Sequence, residues 1–219
     1  MSKKYDAVLF DFDGTVADTG EGIFNGVYHV LASKGIEPPE ADKLRYFIGP
    51  PLHDSFKTVL GFDEEACDEA IIKYREYYSV KGIFELALYD GMEELFRKLK
   101  AENIKVGIAS SKPEVFLQRI AENLKISDLL DVICGSDFSY IHTDKTKIVL
   151  RAIESLHLPA GAKVLMVGDR SFDIKGAKGA GVDSAGVLFG YGSREEFEEA
   201  GADYIVADTD ELFEIITGE

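Results

Sequence analysis

Six short apolar runs, rich in β-branched residues, recur along the 219-residue chain, and polar or glycine-rich breaks separate them. Apolar runs of this length are typical of strands that are buried on both faces, as in a parallel sheet. Amphipathic helical patterns lie between the later runs, and this alternation predicts a doubly wound α/β fold with a parallel sheet. The runs are residues 7–10, 106–109, 132–134, 164–167, 185–188 and 204–206.

The interval between the first two runs breaks this alternation. Residues 16–85 carry helical patterns and no strand pattern, and Gly35 and Gly61 each stand where a glycine would end a helix. The sequence therefore predicts a small α-helical domain, residues 16–85, inserted into an α/β core made of residues 1–15 and 86–219.

The charge of the chain restricts its partners. Lysine and arginine number 24 against 40 aspartates and glutamates, which gives a formal net charge of −16. Such a charge repels nucleic-acid phosphates and anionic membranes, and no local basic stripe offsets it, so we expect neither partner. An anionic substrate would need cations gathered at its site, from side chains or from a bound metal ion.

The sequence also bears on location. No apolar run approaches the roughly 20 residues that a membrane-spanning helix needs, and Asp6 comes too early for a signal peptide. Cys67 and Cys134 are far apart and lack metal-ligand spacing, which is typical of buried thiols in a reducing compartment. We therefore expect a cytoplasmic protein, whose oligomeric state the sequence leaves open.

The strongest chemical feature is Asp11-Phe12-Asp13-Gly14-Thr15, which follows the first predicted strand. In open α/β sheets, ligands bind in the crevice outside the carboxyl ends of the strands. Residues two apart on an extended chain face the same way, so we expect Asp11 and Asp13 to converge on one site. A divalent cation or a shared proton would relieve their repulsion. The alternative is a turn, in which Asp-Gly is common for backbone reasons alone.

Two further carboxylates follow the strand predicted at residues 164–167. Asp169 comes directly after this strand, and Asp173 lies in the first turn of a helix that we expect Ser171 to cap. An acidic residue in a first turn also stabilises the helix dipole without any ligand, which is the alternative explanation for Asp173. Three carboxylates at two strand ends predict a site for Mg²⁺, which binds few protein ligands and keeps positions open for water and phosphate oxygens.

A third strand end is rich in hydroxyl groups. Ser110 and Ser111 follow the strand predicted at residues 106–109, and Pro113 is expected at the first position of the next helix. Hydroxyls and free backbone N–H groups at such a place can hold a phosphate group. Capping of the helix by Ser111 is the alternative.

A cation is also expected near the phosphate. Lys145 opens a predicted helix, where a positive charge is slightly unfavourable against the helix dipole. This mild misfit indicates an anionic group nearby. From the residues alone, the choice between Lys145 and Lys147 stays open.

These motifs, in this order, resemble the four motifs of the haloacid dehalogenase superfamily of phosphohydrolases, and the resemblance spans nearly the whole chain. Its parts are residues 11–15, Ser110, Lys145, Asp169 and Asp173. The helical insertion resembles the small α-helical cap of that family, and the remainder resembles its Rossmann-like core. Within the superfamily, the chain is most similar to the phosphoglycolate phosphatase-like branch, through residues 47–52, 110–113 and 187–192.

The resemblance implies a phosphatase reaction in two steps. Asp11 would attack phosphorus to give an aspartyl-phosphate. Asp13 would protonate the leaving oxygen and then activate water to hydrolyse the intermediate. Asp11, Asp169 and the backbone carbonyl of Asp13 would hold Mg²⁺ as the cofactor.

The resemblance also implies which residues hold the phosphoryl group. Ser110, Ser111 and Lys145 would bind its oxygens, and the register of the family's helix favours Lys145 over its neighbour. Asp173 would steady the metal shell or Lys145. The supporting residues are Gly14, Thr15 and Asp173.

The expected partner is a small phosphorylated metabolite, with phosphoglycolate and nucleoside monophosphates as the leading candidates. Nucleoside monophosphates would make the chain a 5′-nucleotidase. A phosphosugar mutase of the β-phosphoglucomutase type shares the four motifs and is the other enzyme alternative. A phospho-acceptor signalling module also places acidic residues at strand ends, but an acid–base group two residues from the nucleophile suits turnover better than storage.

Overall fold

The computed structural model describes residues 4–137 and 144–218, so residues 1–3, 138–143 and 219 of the predicted core lie outside it. The strands are β1 Ala7–Phe10, β2 Ala17–Asp18, β3 Ala87–Leu88, β4 Lys105–Pro113, β5 Val132–Ser136, β6 Val164–Gly168, β7 Asp183–Val187 and β8 Tyr204–Val206. The α-helices are α1 Gly20–Lys34, α2 Ala41–Leu44, α3 Leu52–Leu60, α4 Glu64–Tyr78, α5 Met92–Ala101, α6 Glu114–Asn123, α7 Lys145–Ser155, α8 Ser171–Ala180, α9 Arg194–Ala200 and α10 Thr209–Thr217. Short 3₁₀ turns lie at Arg45–Phe47, Gly82–Phe84 and Ser127–Leu129. None of the helices in the described ranges is long and apolar enough to cross a membrane.

Six of the described strands form one sheet in the order β5–β4–β1–β6–β7–β8. All neighbouring pairs in this sheet run parallel. β1 lies between β4 and β6, and the chain order reverses there, which is where open α/β sheets form a ligand crevice at the carboxyl ends. Each of the six predicted apolar runs falls on a strand of this sheet, so the predicted doubly wound α/β fold is confirmed.

Both faces of the sheet are covered, which explains the unbroken apolar character of β1. Alternate residues of a strand face opposite sides of a sheet. Val8 and Phe10 belong to one hydrophobic core, with residues of α5, α6 and α10. Ala7 and Leu9 belong to a second core, with residues of α7 and α8. A strand buried in this way needs apolar residues at every position.

The segment between β2 and β3 is helical, as predicted. α1 packs along α4, and α3 packs against the same helix. The glycines that follow α1 and α3, Gly35 and Gly61, both adopt the left-handed conformation that ends a helix. The Asp63 carboxylate accepts a hydrogen bond from the Ala66 N–H at 2.9 Å and caps α4.

The prediction that residues 16–85 contain no strand is wrong at one point. β2 pairs antiparallel with β3, and Ala17 lies opposite Leu88 in this pairing. A strand of two residues has no periodicity, so the sequence pattern could not reveal it. This two-stranded sheet joins the chain that enters the helical segment to the chain that leaves it.

β4 is longer than predicted. It runs through Pro113, with an irregularity in its pairing with β5 over the last residues. α6 begins at Glu114, with Pro113 as its N-cap. The alternative in which Ser111 caps this helix, and the prediction that Pro113 is its first residue, are therefore both wrong. The physical reason is that a proline disfavours the α conformation of the residue before it, Lys112, which therefore stays extended.

Candidate active site

Asp11 and Asp13 lie in a tight turn at the carboxyl end of β1. The Asp11 N–H donates to the Val167 carbonyl of β6 at 2.8 Å, which continues the sheet pairing beyond β1. The Phe12 carbonyl then accepts from the Ala17 N–H at 3.1 Å and closes the turn. Both carboxyl-bearing residues are buried. The turn therefore holds them beside the ends of β4 and β6.

Asp11, Asp169 and Asp173 come together at the ends of β1 and β6. Oxygen atoms of the three carboxylates lie within 4.8 Å of one another, and all three residues are buried. Burial and the charges of Asp173 and Asp11 raise the pKa of Asp169 well above its usual range. Burial and the charge of Asp11 raise the pKa of Asp173 to about 6. This concentration of negative charge on oxygen donors suits a hard divalent cation such as Mg²⁺.

The cluster differs in membership from the predicted set of metal ligands. Asp173, expected only as a supporting residue, contributes a carboxylate to it, whereas the Asp13 carboxylate lies outside it. The role given to the Asp13 backbone carbonyl stays a prediction. The Asp173 carboxylate also accepts from the Arg170 N–H at 3.1 Å, and Arg170 is the N-cap of α8. The predicted cap at Ser171 is therefore wrong, because Ser171 is already the first residue of α8.

Lys145 contacts two of these carboxylates. It begins α7 after the N-cap Asp144, and its Nζ lies 2.6 Å from Asp11 Oδ1 and 2.6 Å from Asp173 Oδ1. Burial alone would lower the pKa of Lys145, but the charges of Asp11 and Asp173 outweigh it and raise the pKa. The Lys147 side chain is 83% exposed, with its Nζ 3.9 Å from Asp144 Oδ2. The structure therefore brings Lys145, and not Lys147, to Asp11.

Asp13 contacts Lys112, a residue to which the sequence analysis gave no role. Lys112 Nζ lies 2.9 Å from Asp13 Oδ1 and donates to the Tyr78 hydroxyl at 2.6 Å. Burial by itself would lower the pKa of Lys112, but the nearby Asp13 and Tyr78 reverse this and raise the pKa. One signal in the sequence could have found it: Lys112 follows Ser110 by two positions, so on an extended chain both side chains lie on one side.

The two serines at the end of β4 lie close to this turn. Ser110 is buried, and its Oγ accepts from the Lys112 N–H at 3.3 Å. Ser111 is partly buried and lines a cavity that also has Asp13 in its wall. Both serines lie inside β4 rather than after it. Their contact with phosphate stays a prediction.

Asp169 is held by groups from two loops. Thr15 Oγ1 donates to its Oδ1 at 3.3 Å, and the Tyr191 N–H donates to its Oδ2 at 2.9 Å. Gly14 lies against the same carboxylate with φ 80°, and a Cβ there would stand 2.1 Å from Oδ2. The predicted supporting residues Gly14 and Thr15 thus both contact Asp169. Tyr191 was missed, because residues 190–192 were used only for the family resemblance.

Gly14→Ala is expected to lower the free energy of unfolding by roughly 3 kcal/mol, because two costs add. An alanine at φ 80° is strained, and its Cβ would overlap Asp169. Asp169 is fully buried, and a shift of its carboxylate would disturb the hydrogen bonds from Thr15 and Tyr191. Urea unfolding of both proteins measures the loss.

The matched control is Gly35→Ala. Gly35 has φ 65°, and no described heavy atom near its Cβ position comes within 4 Å, so only the backbone cost of about 1 kcal/mol applies. Equal losses in the two variants would contradict the tight contact between Gly14 and Asp169.

A cavity lies between the helical segment and the sheet. Asp13, Ser111 and Lys112 contribute to its wall from the sheet side. Most of the remaining wall is apolar or aromatic: Ile23, Phe47, Leu52, Ile71, Tyr74, Tyr78 and Phe116. Arg75 also lines it. A ligand whose reacting group lay at the strand ends would therefore place its other part against these side chains.

Comparison with known proteins identifies the family. The sequence model of the haloacid dehalogenase-like hydrolase family matches residues 8–187. A 5′-nucleotidase of Pseudomonas aeruginosa is 36% identical over 213 residues, which cover 97% of this chain and 96% of that protein. The tyrosine-protein kinase PtkA of Mycobacterium tuberculosis is 33% identical over 95% of this chain and 72% of that protein. A crystal structure of a predicted phosphatase from Clostridium acetobutylicum is 40% identical, covers 98% of this chain and 99% of that chain, and superposes with a TM-score of 0.92.

The branch that the motifs resemble is also represented among the structural relatives. A provisional phosphoglycolate phosphatase from Lactobacillus delbrueckii subsp. bulgaricus is 20% identical and has a TM-score of 0.88, covering 99% of this chain and all of that one (100%). At this identity the likeness concerns the fold alone. All four motifs, from Asp11 to Asp173, lie inside the residues that the family model matches. The chain therefore belongs to the haloacid dehalogenase-like hydrolase family.

Proposed function

We propose that this hydrolase is a Mg²⁺-dependent phosphomonoesterase that cleaves a small-metabolite phosphate through an aspartyl-phosphate at Asp11. The observation that carries this proposal is the arrangement around Asp11. Its carboxylate is buried at the end of β1, lies 2.6 Å from the Lys145 ammonium and is grouped with the carboxylates of Asp169 and Asp173. Such a site combines a nucleophile, a fixed cation and oxygen donors for a metal ion, which phosphoryl transfer requires.

The protein's own residues would carry two displacements at phosphorus. An Asp11 carboxylate oxygen bonds to phosphorus as the ester P–O bond breaks, and Asp13 gives a proton to the departing oxygen. Asp13 then takes a proton from a water molecule whose oxygen attacks the same phosphorus, which releases phosphate and restores Asp11. Lys145 and the Ser110 hydroxyl would hold the phosphoryl oxygens during both steps.

The carboxylate cluster supports the proposed metal. The cluster contains three carboxylates, whereas Lys145 supplies one ammonium group, which lies at Asp11 and Asp173. Asp11, Asp169 and the Asp13 carbonyl would hold Mg²⁺, with Asp173 beside them. When bound, Mg²⁺ supplies positive charge that offsets the charge of the transferring phosphoryl group.

The helical segment is proposed to act as a cap over this site, with residues 16–85 as the cap and residues 1–15 and 86–219 as the core. Contacts between the two parts support this division. Arg170 Nη1 donates to the Ile48 carbonyl at 3.2 Å, beside the site. Arg119 Nη1 donates to the Ser79 carbonyl at 2.8 Å, at the far end of α4.

The apolar and aromatic lining of the cavity favours a leaving group that is planar or apolar. Aromatic and aliphatic side chains make up most of its wall, which suits a nucleoside better than the small anionic glycolate group. The similarity to a 5′-nucleotidase points the same way. We therefore place nucleoside monophosphates before phosphoglycolate as substrates. A cytoplasmic location is part of the proposal, and the buried free thiols of Cys67 and Cys134 support it.

Phosphate release from a panel of monophosphates, with Mg²⁺ and with chelator, tests this function. We expect kcat/KM for at least one nucleoside monophosphate to exceed that for phosphoglycolate by about 10-fold, since each apolar contact contributes to discrimination. No Mg²⁺-dependent release from any ester would contradict the proposed function. A preference for phosphoglycolate would contradict only the substrate class.

A pair of neighbouring isoleucines on α4 checks the role of the cavity. Ile71 lines the cavity, whereas Ile72 is 66% exposed. Ile71→Asp is expected to raise KM for the preferred ester about 10-fold, because it places an unpaired charge against an apolar group. Ile72→Asp adds the same charge outside the cavity and should leave KM within about 2-fold of the parent value.

A further inference from the structure

Lys112 connects the turn after β1 with the helical segment. Its side chain is buried, and Nζ lies 2.9 Å from Asp13 Oδ1 and 2.6 Å from the Tyr78 hydroxyl. The same Nζ lies 4.8 Å from the centroid of the Tyr78 ring. Tyr78 is the last residue of α4. One ammonium group therefore contacts both the acid–base residue and the helix that covers it.

The sheet holds the Lys112 backbone in place. Lys112 lies near the end of β4, and its N–H donates to Ser110 Oγ at 3.3 Å. Gly135 of β5 packs against it so closely that a Cβ on Gly135 would stand 2.5 Å from the Lys112 carbonyl oxygen. The lysine thus projects from a fixed point, and its partners rather than its backbone decide where the ammonium lies.

Asp13 depends on this lysine for the placement of its carboxylate. Across residues 4–137 and 144–218, Lys112 supplies the one ion pair that Asp13 makes. The metal-ligand cluster of Asp11, Asp169 and Asp173 does not include it. Loss of Lys112 would remove this ion pair from the carboxylate, and misplacement of an acid by about 1 Å can cost roughly 100-fold in rate.

We propose that Lys112 is a positioning residue for the reaction: its ammonium group directs the Asp13 carboxyl group toward the leaving oxygen. Tyr78 fixes the ammonium in turn, so the position of Asp13 depends on α4. This role rests on the proposed phosphomonoesterase function. It concerns the step in which the leaving group departs, and it does not concern binding of the phosphoryl group.

Two esters separate these steps. The nitrophenolate of p-nitrophenyl phosphate departs without a proton, whereas the alkoxide of a nucleoside 5′-monophosphate needs one from Asp13. The value of kcat/KM covers events up to departure of the leaving group. We call kcat/KM for the nucleoside monophosphate divided by that for p-nitrophenyl phosphate the alkyl-to-aryl ratio, and this ratio reports proton donation to the leaving group. We expect Lys112→Met to lower this ratio about 30-fold, within the range for loss of general acid catalysis.

Tyr78→Phe is the second variant. It keeps the ring that packs in the cavity and removes only the hydroxyl that accepts from Lys112. We expect it to lower the ratio in the same direction by about 5-fold, because the ion pair to Asp13 persists but its cation is less fixed. This variant also tests the proposal if Lys112→Met fails to fold.

The matched controls are Lys147→Met and Tyr77→Phe. Lys147 is an exposed lysine of α7, and the Tyr77 hydroxyl donates to Glu85 Oε1 at 2.7 Å outside the cavity. Both controls should leave the alkyl-to-aryl ratio unchanged. A wild-type enzyme that hydrolyses both esters, with a ratio unchanged in Lys112→Met and Tyr78→Phe, would overturn the positioning role alone. Equal loss with both esters would also overturn it, since that outcome assigns Lys112 to phosphate binding. Hydrolysis of neither ester by the wild type would instead overturn the proposed function, and this role with it.

Discussion

Asp11→Asn is expected to lower kcat for the preferred phosphate ester by at least about four orders of magnitude at saturating Mg²⁺. Asparagine has nearly the shape of aspartate, but its amide is a poor nucleophile and forms no acyl-phosphate. The fold should survive, because Lys145 keeps its contact with Asp173 at 2.6 Å when Asp11 loses its charge. Initial rates of phosphate release, together with circular dichroism of the purified variant, measure both expectations.

A second readout concerns the covalent intermediate. Wild-type enzyme quenched in acid during turnover should carry phosphate on the peptide that contains Asp11, and Asp11→Asn should carry none. Asp68→Asn, an exposed carboxylate of α4, is the matched control and should behave as the wild type in both assays. If Asp11→Asn retained activity within 10-fold of the wild type, Asp11 could not be the nucleophile.

The sheet was predictable because burial on both faces leaves a simple pattern. β1 is apolar at every position from Ala7 to Phe10, and the structure buries all four residues. Helix ends were equally visible where a glycine supplied the left-handed conformation, as at Gly35 after α1. In both cases, one local property of the sequence determines the local structure.

Elements that depend on pairing alone were not predictable. β2 and β3 contain two residues each and exist because Ala17 and Leu88 meet across the base of the helical segment. The continuation of β4 to Pro113 likewise depends on its pairing with β5 beyond an irregularity. Neither has a periodicity of its own, so no window of sequence reveals it.

The residues of the candidate site also fall into a group that the sequence predicts and a group that only packing brings together. Motif residues such as Asp11 and Asp169 were predicted, because each directly follows an apolar strand whose carboxyl end lies at the crevice. Lys112 was not assigned, since its meeting with Asp13 and Tyr78 requires β4, the turn after β1 and α4 to be packed together. The residues alone left the choice between Lys145 and Lys147 open, and only the family resemblance favoured Lys145. In the structure, α7 directs Lys145 inward to Asp11 and Lys147 to solvent.

The metal site accounts for the other large expected effect. We expect chelation of Mg²⁺, or Asp169→Asn in saturating Mg²⁺, to lower kcat/KM on the order of 1,000-fold, because the charge that develops on the phosphoryl group loses its counter-ion.

Since Mg²⁺ would bind the folded state alone, saturation should also raise the Tm of the wild type by roughly 5 °C at pH 8. Asp169→Asn should abolish this rise, whereas Asp68→Asn should retain it.

The pH dependence of this Tm shift follows from the raised pKa values. Folding raises the pKa of Asp169, and it raises that of Asp173 from 3.8 to about 6. A carboxyl group with a raised pKa destabilises the metal-free fold when ionised. The free-energy cost of this ionised group is fully present above its pKa in the folded state. The cost disappears as the pH falls toward the pKa of the unfolded state, because the folded state then binds the extra proton. Protons thus compete with Mg²⁺, and the Mg²⁺-induced rise in Tm should shrink as the pH falls from 8 to 5. A shift that stayed constant over this range, or one that persisted in Asp169→Asn, would place the metal away from these carboxylates.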